Sequence, residues 1–227
     1  MFNDIPDEDI LDGAATDKYF ERTDAALAEA GKNPVVVADI AADQFSNGDP
    51  EVLAGVNNAA KTLAAASDDI EAWSLPEGSL FDGGPVMRIS GRYREFLQYE
   101  TSILGFLSQA SGIATNAYTA MQAAEPFPET TVLSFGARHM HPKLAAVIER
   151  SALIGGVDGF SHVAAGNQLD RKASGTIPHA VVLSIGDQEE AWEAFNASAP
   201  ADTPRIVIAD TFTDEADEAV RAANALG

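Results

Sequence analysis

All four histidines of this chain, His139, His141, His162 and His179, lie between Thr131 and His179. The residues around them are of the kinds that bind anions and flat rings. Phe135-Gly136-Ala137-Arg138-His139 forms a basic turn directly after the apolar run from Thr131. A cation there could bind a carboxylate or a phosphate, or could simply belong to a polar loop. Phe135 could stack on a ring or fill the core. His179 sits between the turn Ser174-Gly175-Thr176-Ile177-Pro178 and an apolar stretch. It is a candidate general base, or a nucleophile toward a phosphoryl group, against the plainer reading of a core histidine. Asp210 closes the run Arg205–Asp210, and Ser161 and His162 follow another apolar run. His139 and His141, two apart, could chelate a metal, but no carboxylate stands nearby in sequence to complete a site.

These side chains need a scaffold that brings strand ends together. From Thr131 onward, apolar β-branched runs alternate with helical patterns. Strands are expected at 131–135, 159–165, 179–185 and 205–211. Helices are expected from His141 to Gly156, at 187–198 and at 214–226. Such alternation implies a parallel sheet or barrel, with chemistry at the carboxyl ends of its strands. A closed barrel needs more than four strands, so an incomplete irregular α/β barrel is expected.

The first half reads differently. Thr16 or Asp17 is expected to cap a helix ended by Gly31. Residues 34–43 read as a strand, and 49–66 as a helix capped by Asp49 with Pro50 at its first position. Turn signals at Pro76-Glu77-Gly78 and Gly83-Gly84-Pro85 separate expected strands at 70–75, 79–81 and 85–90. A helical pattern runs from Tyr93 to about Ala124, with a break expected at Gly112. The expected organisation is an α+β domain with a helical connection over 1–125, then barrel over 126–227. Gly83-Gly84 lacks the spacing of a nucleotide-binding loop.

Bulk properties narrow the function. A formal charge of −21, from 35 acidic and 14 basic residues, disfavours nucleic acid and anionic membrane surfaces as partners. The dispersed acids and scarce lysine suggest a surface suited to high salt. The absence of cysteine removes disulfide, zinc-thiolate and thiol-nucleophile chemistry. No signal-peptide pattern and no apolar run of membrane-spanning length is visible, so a cytoplasmic location is expected.

The motifs together resemble the nicotinate phosphoribosyltransferase family, the type II phosphoribosyltransferases. The matching pieces are TDKYFERT (16–23), LPEGSLFDGGPVMRISGRYREFLQYETSILGFLS (75–108), SGIAT (111–115), SFGARH (134–139), ERSALIGGVDGFSHVAA (149–165), SGTIPHA (174–180) and ADTFTDE (209–215). They keep the family's order and span nearly the whole chain. The resemblance implies an N-terminal α/β domain, an irregular α/β barrel, and transfer of the phosphoribosyl group of 5-phosphoribosyl-1-pyrophosphate (PRPP) to nicotinate with Mg²⁺, in some members coupled to ATP. It places Phe135 on the pyridine ring and Tyr19 as a contribution from the partner subunit of a head-to-tail homodimer. Arg138 would hold anionic groups and Ser161 would lie beside the base carboxylate. Thr176 falls in the substrate-binding turn. His179 matches the histidine phosphorylated by ATP, and Asp210 would lie near ribose, pyrophosphate or Mg²⁺. Arg138, His139, Arg171 and Lys172 are candidates for a local basic pocket. His162 stands where the family pattern has a smaller amide residue. The family's later strands, with a further aspartate and a phosphate loop, have no counterpart. The alternatives are a quinolinate or nicotinamide phosphoribosyltransferase, or an inactive truncated or regulatory partner of the same family.

Overall fold

The computed structural model describes residues 4–42 and 50–226. The chain divides into two compact units, Met1–Lys172 and Ala173–Gly227. The boundary expected from sequence at 125/126 lies inside the first unit.

In that unit, α1 (Asp7–Leu11) places three acids in its first turn, where the helix dipole favours them. α2 (Lys18–Glu29) starts after Asp17 and buries Phe20; Gly31, at φ 62°, turns the chain beyond it. β1 (Val35–Ala41), β2 (Glu51–Val52), α3 (Val56–Ala66), β3 (Glu71–Ser74), β4 (Leu80–Phe81) and β5 (Pro85–Arg92) follow. β5 pairs antiparallel with β1 on one side and β3 on the other. Alternate residues of β5 face inward, so Met87 and Ile89 join Leu53, Leu63, Phe96, Ile103 and Leu107 in the main core.

Two expectations fail here for packing reasons. Asp49 lies outside the described residues, but the helix expected from 49 begins only at Val56. Val52 and Ala54 instead donate their N–H groups to Thr115 Oγ1 (2.9 Å) and Ser111 Oγ (3.0 Å). Gly55, at φ 88°, then lies so close to the helix Glu100–Ala124 that an added Cβ would stand 2.3 Å from the Phe106 carbonyl oxygen. Hydroxyl acceptors and a close approach thus override helix propensity. α4 (Tyr93–Phe96) is separated from α5 (Glu100–Ala124) by a single 3₁₀ turn, Leu97–Tyr99. The break is there and not at Gly112, which α5 passes without interruption; one interior glycine costs only about 1 kcal/mol relative to alanine.

β6 (Leu133–Ser134), α6 (Ala145–Ile154) and β7 (Gly159–Phe160) form a parallel β-α-β unit, followed by α7 (Val163–Leu169). α6 lies against α5 through Gly155: a Cβ there would come within 2.2 Å of Ala114 O and 2.6 Å of Ala117 Cβ. Arg150 of α6 forms a two-point ion pair with Glu77, whose Oε1 also accepts from Gly55 N.

The second unit consists of α8 (His179–Ile185), α9 (Gln188–Ser198) and α10 (Glu215–Leu226) around Ile177, Trp192 and Ala222. Three expected strands are corrected. Residues 159–165 give only β7 before α7 begins. Residues 179–185 are helical, flanked by Pro178 and by Gly186 at φ 87°, the ordinary start and stop signals. Residues 205–210 take no regular structure. Short apolar runs suit a buried strand or a buried helix equally, and periodicity cannot separate them. The α/β class itself holds. Among the described residues no helix is long and apolar enough to cross a membrane.

Candidate active site

The parallel pair β6–β7 delivers two loops to one strand edge. Alignment is fixed by Asp158, whose Oδ2 accepts from Val132 N at 2.7 Å while its own N–H donates to Val132 O at 2.9 Å. Beyond the strands, Ser161 N donates to Ser134 O at 3.2 Å. Ser161 therefore stands beside the start of the Phe135–His139 turn. Within that turn the Arg138 guanidinium lies 5.8 Å from the Phe135 ring centroid, a cation over an aromatic face. Phe135 is 39% exposed, so the ring is available to a ligand and is not core. A half-open aromatic face, a guanidinium and a hydroxyl-bearing residue thus meet at one edge.

His162 has a local task that its sequence position did not reveal. Its Nδ1 accepts from Ala165 N at 3.2 Å and caps α7. His141 Nδ1 likewise accepts from Lys143 N, at 3.3 Å. Among the described residues no three His, Asp or Glu side chains gather to hold a metal ion. Tyr19 is 52% exposed on α2 and its ring packs on Phe20, centroids 4.1 Å apart.

In the second unit, His179 Nε2 meets Asp210 Oδ1 at 2.9 Å. Both side chains are about half exposed. A carboxylate holding one imidazole nitrogen orients the ring and leaves the other nitrogen, Nδ1, for chemistry. Thr176 donates its hydroxyl to Ile206 O at 2.9 Å, so it acts on the segment leading to Asp210. Trp192, fully buried, donates Nε1–H to Ile208 O at 3.1 Å.

Past Asp210 the chain is held by Glu218 of α10. Its Oε2 accepts from Thr211 N (2.9 Å), and its Oε1 from Phe212 N (2.7 Å), Thr213 N (2.6 Å) and Thr213 Oγ1 (3.2 Å); Gln188 Nε2 of α9 also donates to Oε2. Burial pushes the Glu218 carboxyl up, but the hydrogen bonds from Gln188 and the three N–H groups outweigh it and hold the group at about 2. Glu218, Gln188 and Trp192 carried no sequence signal: Glu218 sits in the acidic run 214–218, which reads as a solvated helix start.

Comparison with known proteins places the chain in context. It matches the N-terminal domain of quinolinate phosphoribosyl transferase over residues 17–111 and the C-terminal domain over residues 113–226. The crystal structure of nicotinate-nucleotide pyrophosphorylase from Pyrococcus furiosus superposes with a TM-score of 0.94 at 42% identity, covering all of this chain and 57% of that one. The nicotinate phosphoribosyltransferase of Bacillus subtilis is 32% identical over 142 residues, 62% of this chain and 28% of that protein. Human nicotinic acid phosphoribosyltransferase superposes with a TM-score of 0.67 at 25% identity, over 75% of this chain and 40% of that one. The chain thus spans about a quarter of the Bacillus relative and a little over half of the Pyrococcus structure.

Proposed function

Because this chain belongs to the quinolinate phosphoribosyl transferase family, we propose that it serves phosphoribosyl transfer from PRPP to a pyridine carboxylate. The observation that carries the reading is the pairing of Arg138 with the half-exposed Phe135 ring beside Ser161. A flat base stacks on Phe135 while Arg138 meets a ring carboxylate. Ser161 leaves that anion unopposed, where an acidic residue would repel it.

In the reaction the pyridine nitrogen forms a bond to the anomeric carbon of the ribose, and the bond from that carbon to pyrophosphate breaks. The electron pair leaves with pyrophosphate. Positive charge develops on the ribose, so orientation and charge neutralisation carry the rate. By the family resemblance, Asp210, half exposed and paired with His179, would be the carboxylate that faces the ribose or a PRPP-borne cation. A Mg²⁺ ion carried by the pyrophosphate would have Asp210 as its candidate protein ligand. When bound, such an ion would neutralise charge on the leaving group. His179, whose Nε2 is the nitrogen paired with Asp210, is the residue that would accept a phosphoryl group from ATP if the reaction is coupled. The subunit roles given to Tyr19 and to a homodimer rest on the resemblance alone.

Quinolinate is the first reading of the base. Both parts of the quinolinate family's fold match, across nearly the whole chain, and this favours the rival over the nicotinate reading preferred from sequence motifs. Nicotinate is the second reading, supported by curated relatives such as the Bacillus enzyme. To yield nicotinate nucleotide from quinolinate, the carboxylate next to the ring nitrogen must leave as CO₂ and a proton must replace it. Incubation with PRPP, Mg²⁺ and either base, with separate measurement of nucleotide, pyrophosphate and CO₂, tests both. Pyrophosphate and CO₂ with quinolinate support the first reading. Turnover with nicotinate alone supports the second, and no turnover with either removes the proposal.

A further inference from the structure

We propose that Glu218 is a positioning residue that holds Asp210 against His179; this rests on the reading of Asp210 as the carboxylate facing PRPP. The segment from Ile206 to Thr213 has no strand partner, so side chains must satisfy its backbone. Thr176 takes Ile206 O, Trp192 takes Ile208 O, and Glu218 takes the N–H groups of Thr211, Phe212 and Thr213. The Glu218 anchor begins at the residue directly after Asp210. It supplies an anion to three successive amides, an arrangement stronger than neutral hydrogen bonds.

Glu218 is fully buried, as is Gln188, which holds its second oxygen from α9. The anchor is therefore fixed from two helices, α9 and α10. Removing the negative charge leaves three part-buried donors facing a weaker acceptor, and the segment shifts to satisfy them. Asp210 would move with it. Displacement of a positioned group by about 1 Å can cost on the order of a hundredfold in rate.

The test compares the unmodified chain with E218Q, D210N, the double variant, and F195A. Phe195 packs on the same core as Val207 of the segment, so F195A controls for a packing loss that spares the Glu218 hydrogen bonds. The first readout is the His179 ring resonance in ¹H–¹³C spectra at one fixed pH. The expected result is that E218Q moves it toward its D210N position while F195A leaves it in place. A His179 resonance unchanged in folded E218Q overturns the proposal, whether or not the chain turns over. The second readout is kcat/KM for PRPP. E218Q is expected to lower it roughly tenfold to a hundredfold with KM for the base unchanged, and the double variant to lose no more than D210N. Independent, multiplying losses contradict positioning through Asp210. A D210N enzyme of unchanged kcat/KM refutes the assignment of Asp210 instead, while the resonance still decides the structural coupling.

Discussion

His179 Nε2 lies 2.9 Å from Asp210 Oδ1, joining the first residue of α8 to an acid 31 residues further on. A carboxylate only accepts, so neutral imidazole in this contact carries its proton on Nε2 and offers Nδ1 as acceptor or nucleophile. His179→Ala should abolish stimulation by ATP and leave residual PRPP-dependent turnover. Initial rates with and without ATP check this, and ATP stimulation that survives in the variant removes the phosphoryl-acceptor role.

Phe135→Ala should raise KM for the pyridine base about three- to tenfold, the equivalent of one aromatic stack, with kcat little changed. Loss of binding common to ground and transition states has that kinetic form. Arg138→Gln should affect a carboxylate-bearing pyridine far more than an uncharged analogue. Competition between the two ligands measures the difference, and equal losses would mean that Arg138 does not meet the carboxylate.

Gly155→Ala should destabilise the first unit by about 1–3 kcal/mol, the usual cost of overpacking. Its φ of −71° suits any residue, so the effect comes from the 2.2 Å approach to Ala114 O and not from backbone strain. Urea unfolding should show a lower midpoint with an unchanged slope. Gly112→Ala, with open space around it, should be neutral or slightly stabilising.

Acid should expose the contribution of Glu218. Its carboxyl titrates at about 2 in the folded chain, below its ordinary value of 4.5. A depressed carboxylate stabilises the fold above the unfolded value, and that contribution is lost as pH falls from about 4.5 through about 2. Glu77, held low by Arg150 against the effect of its burial, works in the same direction. The stability difference between the unmodified chain and E218Q should therefore shrink as pH is lowered across this window. A difference independent of pH would contradict the carboxylate clamp.

Much of the first unit was legible in sequence because its signals are local. Asp17 before α2, the glycine turns around β4 and the alternation of β5 were each readable from a few neighbouring residues. The turn carrying Phe135 and Arg138 was legible for the same reason. Residues 179–185 and 205–211 misled because short apolar runs fit strand or helix alike, and their outcome depends on what packs beside them. Glu218 was invisible, since only tertiary structure turns one acid of the run 214–218 inward onto three amides. Gly155 was visible as part of a motif, but its reason, the close approach of α6 to α5, is a contact between distant residues.

The central claim is that Phe135, Arg138 and Ser161 form a pyridine carboxylate site serving phosphoribosyl transfer. The most direct measurement is nucleotide formation from PRPP and Mg²⁺ with quinolinate or nicotinate, run beside Phe135→Ala. The account predicts nucleotide and equimolar pyrophosphate with at least one base, and a raised KM for that base in the variant. Absence of nucleotide with both bases from folded protein, or an unchanged KM in Phe135→Ala, would contradict it.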